Sequence, residues 1–431
     1  MNSNIPQSTS AEITGTLQLA RQRIKKRKAL DRLLFLSGLG ALAIAVSVLI
    51  ILIGSLVATG HSAFIQTYIT LDLDISERYV KREDPFKGQY RNIINEALLQ
   101  QFPGVTERSA QRQLFSLPSP AAQYMLRDHI ASNPKLIGNT IRFAIPVSDP
   151  YDQLNKGLVL RETEEQNRRL KQQQINWFDT LDHRGLISNK FNWNLLTNPD
   201  SRFPEVAGLA GAIMGSLYTL LICFAVSFPV GIGAAIHLEL FAPKNRFTDL
   251  IEININNLAA VPSIVFGLLA LAVFLNSFGM PRSTPLVGGL TLALMTLPTI
   301  IIATRSALKS VPTSIHDAAL ALGASRQQAV FHHILPAAMP GILTGAIIGM
   351  AQALGETAPL LLIGMNAFLA AVPNTPIDAS TTLPTQIFLW ADSPERGFIS
   401  RTCAAILVLL GLLVSMNAIA IFLRQKLEKQ H

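Results

Sequence analysis

The chain has 431 residues, a length that would ordinarily divide into two or three soluble domains, yet 49% of them are hydrophobic and only 15% are charged. With a mean hydropathy of +0.34, too little polar surface remains to coat such domains, so much of the chain belongs in lipid. The net charge of +8 would suit nucleic acid, but the basic residues cluster beside apolar runs, which fits membrane topology and argues against nucleic acid as a partner.

Residues 1–32 form a basic tail containing RQRIKKRK (Arg21–Lys28). The uncharged stretch 33–60 is too long for a signal-peptide core and lacks a small-residue cleavage site, so it reads as a retained first transmembrane helix. Residues 61–205 are mostly polar and form a separate domain whose fold the sequence leaves open. Within it, RETEEQNRRLKQQQ places Glu164 four residues before Arg168 and Glu165 four before Arg169, a spacing that suits an exposed helix, while its Gln and Glu richness also fits a mobile stalk. NWFDTLDHRGL and NKFNWNLL supply aromatic residues near its end, and His129 reads as an ordinary surface histidine. Five further uncharged runs are long enough to span: Val206–Ile236, Ile253–Pro281, Ser283–Thr304, Ile334–Gly355 with an apolar extension to Met365, and Thr402–Leu423. Residues 206–424 thus make a five-helix core, followed by a basic tail, 425–431. Cys223 and Cys403 fall inside these runs and read as small hydrophobes, not as disulfide or metal partners.

Placing the N-terminal tail in the cytoplasm puts Lys244, Arg246, Arg305, Lys309, Arg326, Arg424, Lys426 and Lys429 there too. Only Arg282, Arg396 and Arg401 are left in the short outer loops. Both termini are then cytoplasmic, 61–205 lies outside, and the loop 312–336 lies inside.

That loop contains HDAALALGASRQQAVFHHILP (His316–Pro336). Pro312 and Ser314 can start a short helix, with Ser314 and Asp317 at capping-box spacing; Gly323 permits a sharp turn, and Ser325 with Gln328 matches a second box. The pattern predicts helix–bend–helix outside the bilayer, which an ordinary interfacial helix pair would also satisfy. The combination of acid–Ala–Ala–three residues–Gly with a later Leu–Pro is narrower. Asp317, Ala318, Ala319, Gly323, Leu335 and Pro336 resemble the EAA loop of ABC-importer permeases, with aspartate in place of the usual glutamate.

LAAVPSIVFGLLAL (Leu258–Leu271), TLPTIIIATRSALKSVP (Thr296–Pro312) and LPAAMPGILTGAIIGMAQALGETAPLLLIG (Leu335–Gly364) resemble the PstA family of phosphate-importer permeases, from about Val206 to Leu423. Residues 61–205 resemble an N-terminal extension found in a subset of that family. The resemblance implies an all-α polytopic membrane protein with six transmembrane helices, a MetI-like ABC permease core and a bacterial inner-membrane location. It implies that the 312–336 loop is a coupling helix docking on ATPase subunits. The partners implied are a PstC-like second permease, two PstB-like ATPases and a periplasmic PstS-like phosphate-binding protein. The chain has no G-x-x-x-x-G-K-[ST] loop to cradle nucleotide phosphates. It is expected to hold no cofactor or metal, to leave ATP and Mg to its partners, and to be no enzyme by itself. LSGLG (Leu36–Gly40) lies inside the first span, where nucleotide has no access.

An ionisable residue in a span is a functional candidate. Gln352 and Glu356, four apart, would share a helical face, beside a close-packing surface of Gly345, Gly349 and Ala353. Glu356 either pairs with a basic residue of a neighbouring permease subunit or lines the path, where it could accept a hydrogen bond from protonated phosphate. Thr357 follows it, and Thr304 and Arg305 either meet the anion at its inner exit or anchor the span end. The alternatives are a permease for sulfate or molybdate, or a membrane sensor or scaffold whose outer domain binds a ligand. Because the core looks complete from Val206, the outer domain is expected to be dispensable for transport.

Overall fold

The first long apolar stretch forms helix α1 (Ser8–Gly60), whose residues from Leu33 to Val57 are exposed except for the half-buried Leu56. A helix apolar all round belongs in lipid. The structure, a computed structural model, describes residues 8–159, 161 and 164–428; Lys429 and the ends of both basic tails lie outside the described residues. The chain divides into two compact units, residues 1–58 and 59–431.

The second unit opens with the inserted domain, which is α+β rather than purely helical. Strand β1 (Ile65–Asp74) alternates Ile69, Leu71 and Leu73, all buried, with more exposed neighbours, the period-two pattern of a half-buried strand. Helices α2 (Tyr90–Gln101), α3 (Arg108–Leu114) and α4 (Ala122–Ser132) follow. Strand β2 (Thr140–Pro146), α5 (Asp149–Asn155), α6 (Gln172–His183), β3 (Ile187–Phe191) and α7 (Asn194–Thr197) complete the domain. β1 is central and antiparallel to both neighbours, in the order β2-β1-β3, with Leu71 opposite Phe143 and Thr67 opposite Asn189. Leu98, Leu126, Ile130 and Phe178 close one core over the inward face of β1.

The exposed helix expected across Glu164–Arg169 is absent. Glu165–Asn167 form a single 3-10 turn, and α6 begins only at Gln172. Arg168 instead donates to the Arg161 carbonyl, and Arg169 pairs with Glu395 at 3.1 Å. Tertiary contacts outweigh an i,i+4 pair, which is worth only about 0.2–0.5 kcal/mol.

The core continues with α8 (Ala210–Ile236), α9 (Arg246–Ala259), α10 (Ser263–Ala270), α11 (Pro285–Ser310), α12 (Thr313–Ala321) and α13 (Arg326–Ala329). It ends with α14 (Leu335–Gly355), α15 (Ala358–Leu362), α16 (Leu383–Ala391) and α17 (Gly397–Glu428). Among the described residues five helices are long and apolar enough to cross a membrane, or six if a bent pair counts as one span.

Three expected spans have different shapes. The run Ile253–Pro281 is not one straight helix: α9 meets the segment Ser263–Ser277 at 101°. Pro262 removes a backbone donor and disfavours helix at Val261, a break that hydropathy does not register. The run extended to Met365 breaks after Gly355. The last span begins at Gly397, before Thr402, which draws Arg401 out of its expected loop and into a helix.

Glycines set the packing. A Cβ on Gly345 would lie 2.2 Å from that of Ala303, and one on Gly341 would lie 2.8 Å from that of Ala307, so α14 runs in direct contact with α11. Gly231 against Ile300 and Gly289 against Ile222 seat α11 on α8 in the same way. Without a hydrophobic drive between helices in lipid, such close approach is a main source of association.

Candidate functional site: a docking loop, a polar break and a buried junction

The 312–336 loop lies at the end of the bundle remote from the inserted domain. α8 starts beside that domain, and Ile236 at its other end packs with Val330 and Ile334 beneath the loop. α12 starts directly after Pro312, which is extended. Ser314 is therefore already in the first turn, and no side-chain cap forms there. The expected Ser314–Asp317 box is absent, and Asp317 is exposed beside His316 at 3.5 Å.

The C-terminus of α12 closes as a Schellman turn. Gly323 N–H donates to Leu320 at 2.9 Å and Ala324 N–H donates to Ala319 at 3.1 Å, with Gly323 at φ +86. The second capping box forms: Ser325 Oγ accepts from Gln328 N–H at 3.2 Å, and Gln328 Oε1 accepts from Ser325 N–H at 2.8 Å. Ala319 is buried; Asp317, Ala318 and Gly323 are exposed, and Leu322 projects 90% exposed. Leu335 and Pro336, half-buried, open α14. The loop is thus a rigid bent pair of helices with an apolar tip and an exposed acid.

The other candidate residues lie at two depths. Thr304 is fully buried and its hydroxyl has no partner among the described residues. Arg305 donates from Nε to Glu239 at 3.1 Å and from Nη2 to Glu252 at 2.6 Å, and Lys309 approaches Glu239 at 3.5 Å. Two carboxylates neutralise this guanidinium and tie the segment after α8 and the middle of α9 to α11. Gln352 and Glu356 do not share a helical face. α14 stops at Gly355; Glu356 is extended at φ -77, ψ 123, and α15 begins only at Ala358. Gln352 is exposed, while Glu356 and Thr357 are half-buried in a polar break at the end of α14 remote from the loop. Among the described residues no cation pairs with Glu356.

Two buried polar groups went unrecognised in the sequence. Between α8 and α16, Ser216 Oγ accepts from Leu383 N–H at 2.8 Å, while Thr219 Oγ1, Ser380 Oγ and Gln386 Nε2 have no hydrogen-bond partner among the described residues. A Thr382–Thr385 capping box organises this segment, with threonine where the usual signature has Glu or Gln. The second group joins the inserted domain to the core. Arg401, 3% exposed, donates to the Ala207 carbonyl and to Gln66 Oε1, each at 3.1 Å. Asp149 lies against Gly397 at the start of α17. Burial pushes the Glu205 carboxyl up to about 7; the hydrogen bond from Ser119 and the charge of Arg401 oppose that rise, and the charge of Asp149 adds to it. Burial likewise raises Asp149, against a hydrogen bond from Gln153. Trp390 Nε1 donating to Asp200 at 2.9 Å makes a further tie.

This architecture can be set beside known proteins. The family described as binding-protein-dependent transport system inner membrane component matches residues 227–429, and a domain of unknown function, DUF3333, matches 21–165. The phosphate transport system permease protein PstA of Yersinia pestis is 33% identical over 51% of this chain and 74% of its own length. The chain belongs to the PstA-like family of permeases. The probable ABC transporter permease protein YqgI of Bacillus subtilis is 34% identical over 40% of the chain, and the chain spans 58% of the length of that relative. A solved structure of the MetNI methionine ABC transporter aligns with a TM-score of 0.39 at 18% identity, over 49% of this permease and 94% of that chain.

Proposed function

We propose that the chain is the transmembrane permease subunit of an ATP-driven importer of inorganic phosphate. The observation that carries this reading is the exposed, Schellman-terminated bend at Gly323, with Leu322 at its tip, in a chain of the PstA-like family. A bent helix pair fixed beneath by Val330 and Ile334 can pass a push from outside the bilayer into α8, α11 and α14. ATP binding closes the partner ATPases, the loop moves with them, and the bundle rocks between outward and inward access. The chain has no nucleotide loop of its own and performs no chemistry; ATP and Mg belong to the partners.

The basic flanks favour an inner-membrane orientation with both termini and the loop in the cytoplasm and the inserted domain outside. The partners proposed are a PstC-like second permease, two PstB-like ATPases and a PstS-like binding protein. Glu356 and Thr357, in the break between α14 and α15, are proposed to line the outward half of the path. Discontinuous helices leave backbone and polar groups free for an ion where a continuous helix would not. Arg305 serves as a structural tie.

Reconstitution into proteoliposomes with those partners, supplied with labelled phosphate or sulfate, tests the proposal. ATP-dependent phosphate uptake that sulfate does not compete away is expected. Preferential sulfate uptake would assign another oxyanion. Uptake that needs no ATPase would remove the importer reading altogether.

A further inference from the structure

The inserted domain contains a cleft of about 340 Å³ between α2, α3 and the turn that leads into α4. Arg91 and Asn95 lie one helical turn apart on α2, and Arg112 reaches in from α3, with Gln123 on α4 closing the rim. Neither guanidinium forms an ion pair among the described residues, and no Asp or Glu lines the cleft. Two like charges held beside one concavity repel unless an anion lies between them, and arginine's planar fork suits carboxylate or phosphate oxygens. The remaining walls mix apolar surface, from Ile94, Phe115 and two prolines, with the hydroxyls of three serines. A bare oxyanion would leave those walls unfilled, whereas the volume matches that of ordinary small-molecule sites.

We propose that this cleft binds a small organic anion, with a phosphate or carboxylate group held between Arg91 and Arg112 and an apolar part against Ile94 and Phe115. The floor includes Ser119, the side chain that also meets Glu205. An occupant therefore sits one side chain away from the junction with α17.

The test is calorimetric titration of the full-length chain in detergent with phenyl phosphate, with benzyl alcohol and with inorganic phosphate. Saturable binding of phenyl phosphate, and none of benzyl alcohol, is expected. Arg91→Gln/Arg112→Gln, both at exposed positions, should weaken that binding by about ten-fold or more. The isosteric Asn95→Asp, which adds a negative charge without changing volume, should weaken it too, with an unchanged unfolding midpoint verifying the fold of each variant. Failure of phenyl phosphate to saturate, or full affinity in the charge variants, overturns the proposal. Inorganic phosphate binding there as tightly as phenyl phosphate overturns the organic assignment.

Discussion

Glu356 stands where α14 has just ended, against the partial negative charge of the helix C-terminus. A carboxylate so placed needs a donor or a cation, and none is supplied by the described residues of this chain. Two counterparts are proposed for it: a protonated phosphate in the path, or a base on a neighbouring subunit. Glu356→Gln separates the two. A path role predicts an assembled complex whose uptake falls by about ten-fold or more, since a hydrogen bond to a charged group is worth about 1.5–3 kcal/mol, or one that discriminates less against sulfate. A pairing role predicts poor assembly, recovered by neutralising the partner's base. Unchanged assembly, uptake and selectivity would remove both roles. Glu205 gives a second residue-scale test. Its carboxyl is raised to about 7 from 4.5, so between those values the folded state keeps a proton that the unfolded chain has lost. Stability should therefore fall as pH rises through that window. Glu205→Gln, always neutral, should show a shallower fall between pH 4.5 and 7 in thermal unfolding of the solubilised protein; an identical slope would mean that Glu205 does not titrate there.

At the scale of elements, the coupling pair depends on one backbone conformation. A Cβ on Gly323 would meet open space, so a substitution acts through φ +86 alone. A β-branched residue resists that region at a cost of about 1–2 kcal/mol, whereas asparagine tolerates it. Gly323→Val is expected to insert and assemble but to lose most stimulation of the partner ATPase and most uptake, and Gly323→Asn to retain them. Equal activity in both would show that the bend does not set docking. The paired capping interactions of Ser325 and Gln328 explain why the second helix starts where it does. Their counterpart at Ser314 fails because Pro312 starts the helix too early for that hydroxyl to cap it.

For the whole molecule, the inserted domain and the core share a buried junction and are not simply strung together. Deleting residues 62–202 removes Gln66 and Asp149 and leaves Arg401 with its Ala207 bond but without most of the polar company that burial requires. Breaking a buried ionic arrangement costs about 3–5 kcal/mol. The deletion is therefore expected to lower the unfolding midpoint and the yield of assembled complex, and Arg401→Met in the deleted chain is expected to restore part of both. A deletion that assembles and transports normally would show the domain to be dispensable, as the apparent completeness of the core from Val206 suggests.

The sequence by itself determined where the apolar runs, the polar insert and the bend at Gly323 lie, though not the shape of three of the spans, because uncharged length, charge flanks and a helix-stopping glycine act locally. It also carried the family resemblance in the loop and in the stretch around Glu356. It left the inserted domain's fold open, because β1 pairs with strands far along the chain and no local signal encodes that register. The run Ile253–Pro281 reads as one span in the sequence, and only the structure shows it bent by 101° at Pro262. Only the tertiary structure decided that Glu356 ends a helix instead of sitting on one, that Arg305 is held by Glu239 and Glu252, and that Arg401 is buried. The reason is the same in each case: a charge's role is set by the groups brought around it, and those come from elements that sequence spacing does not relate.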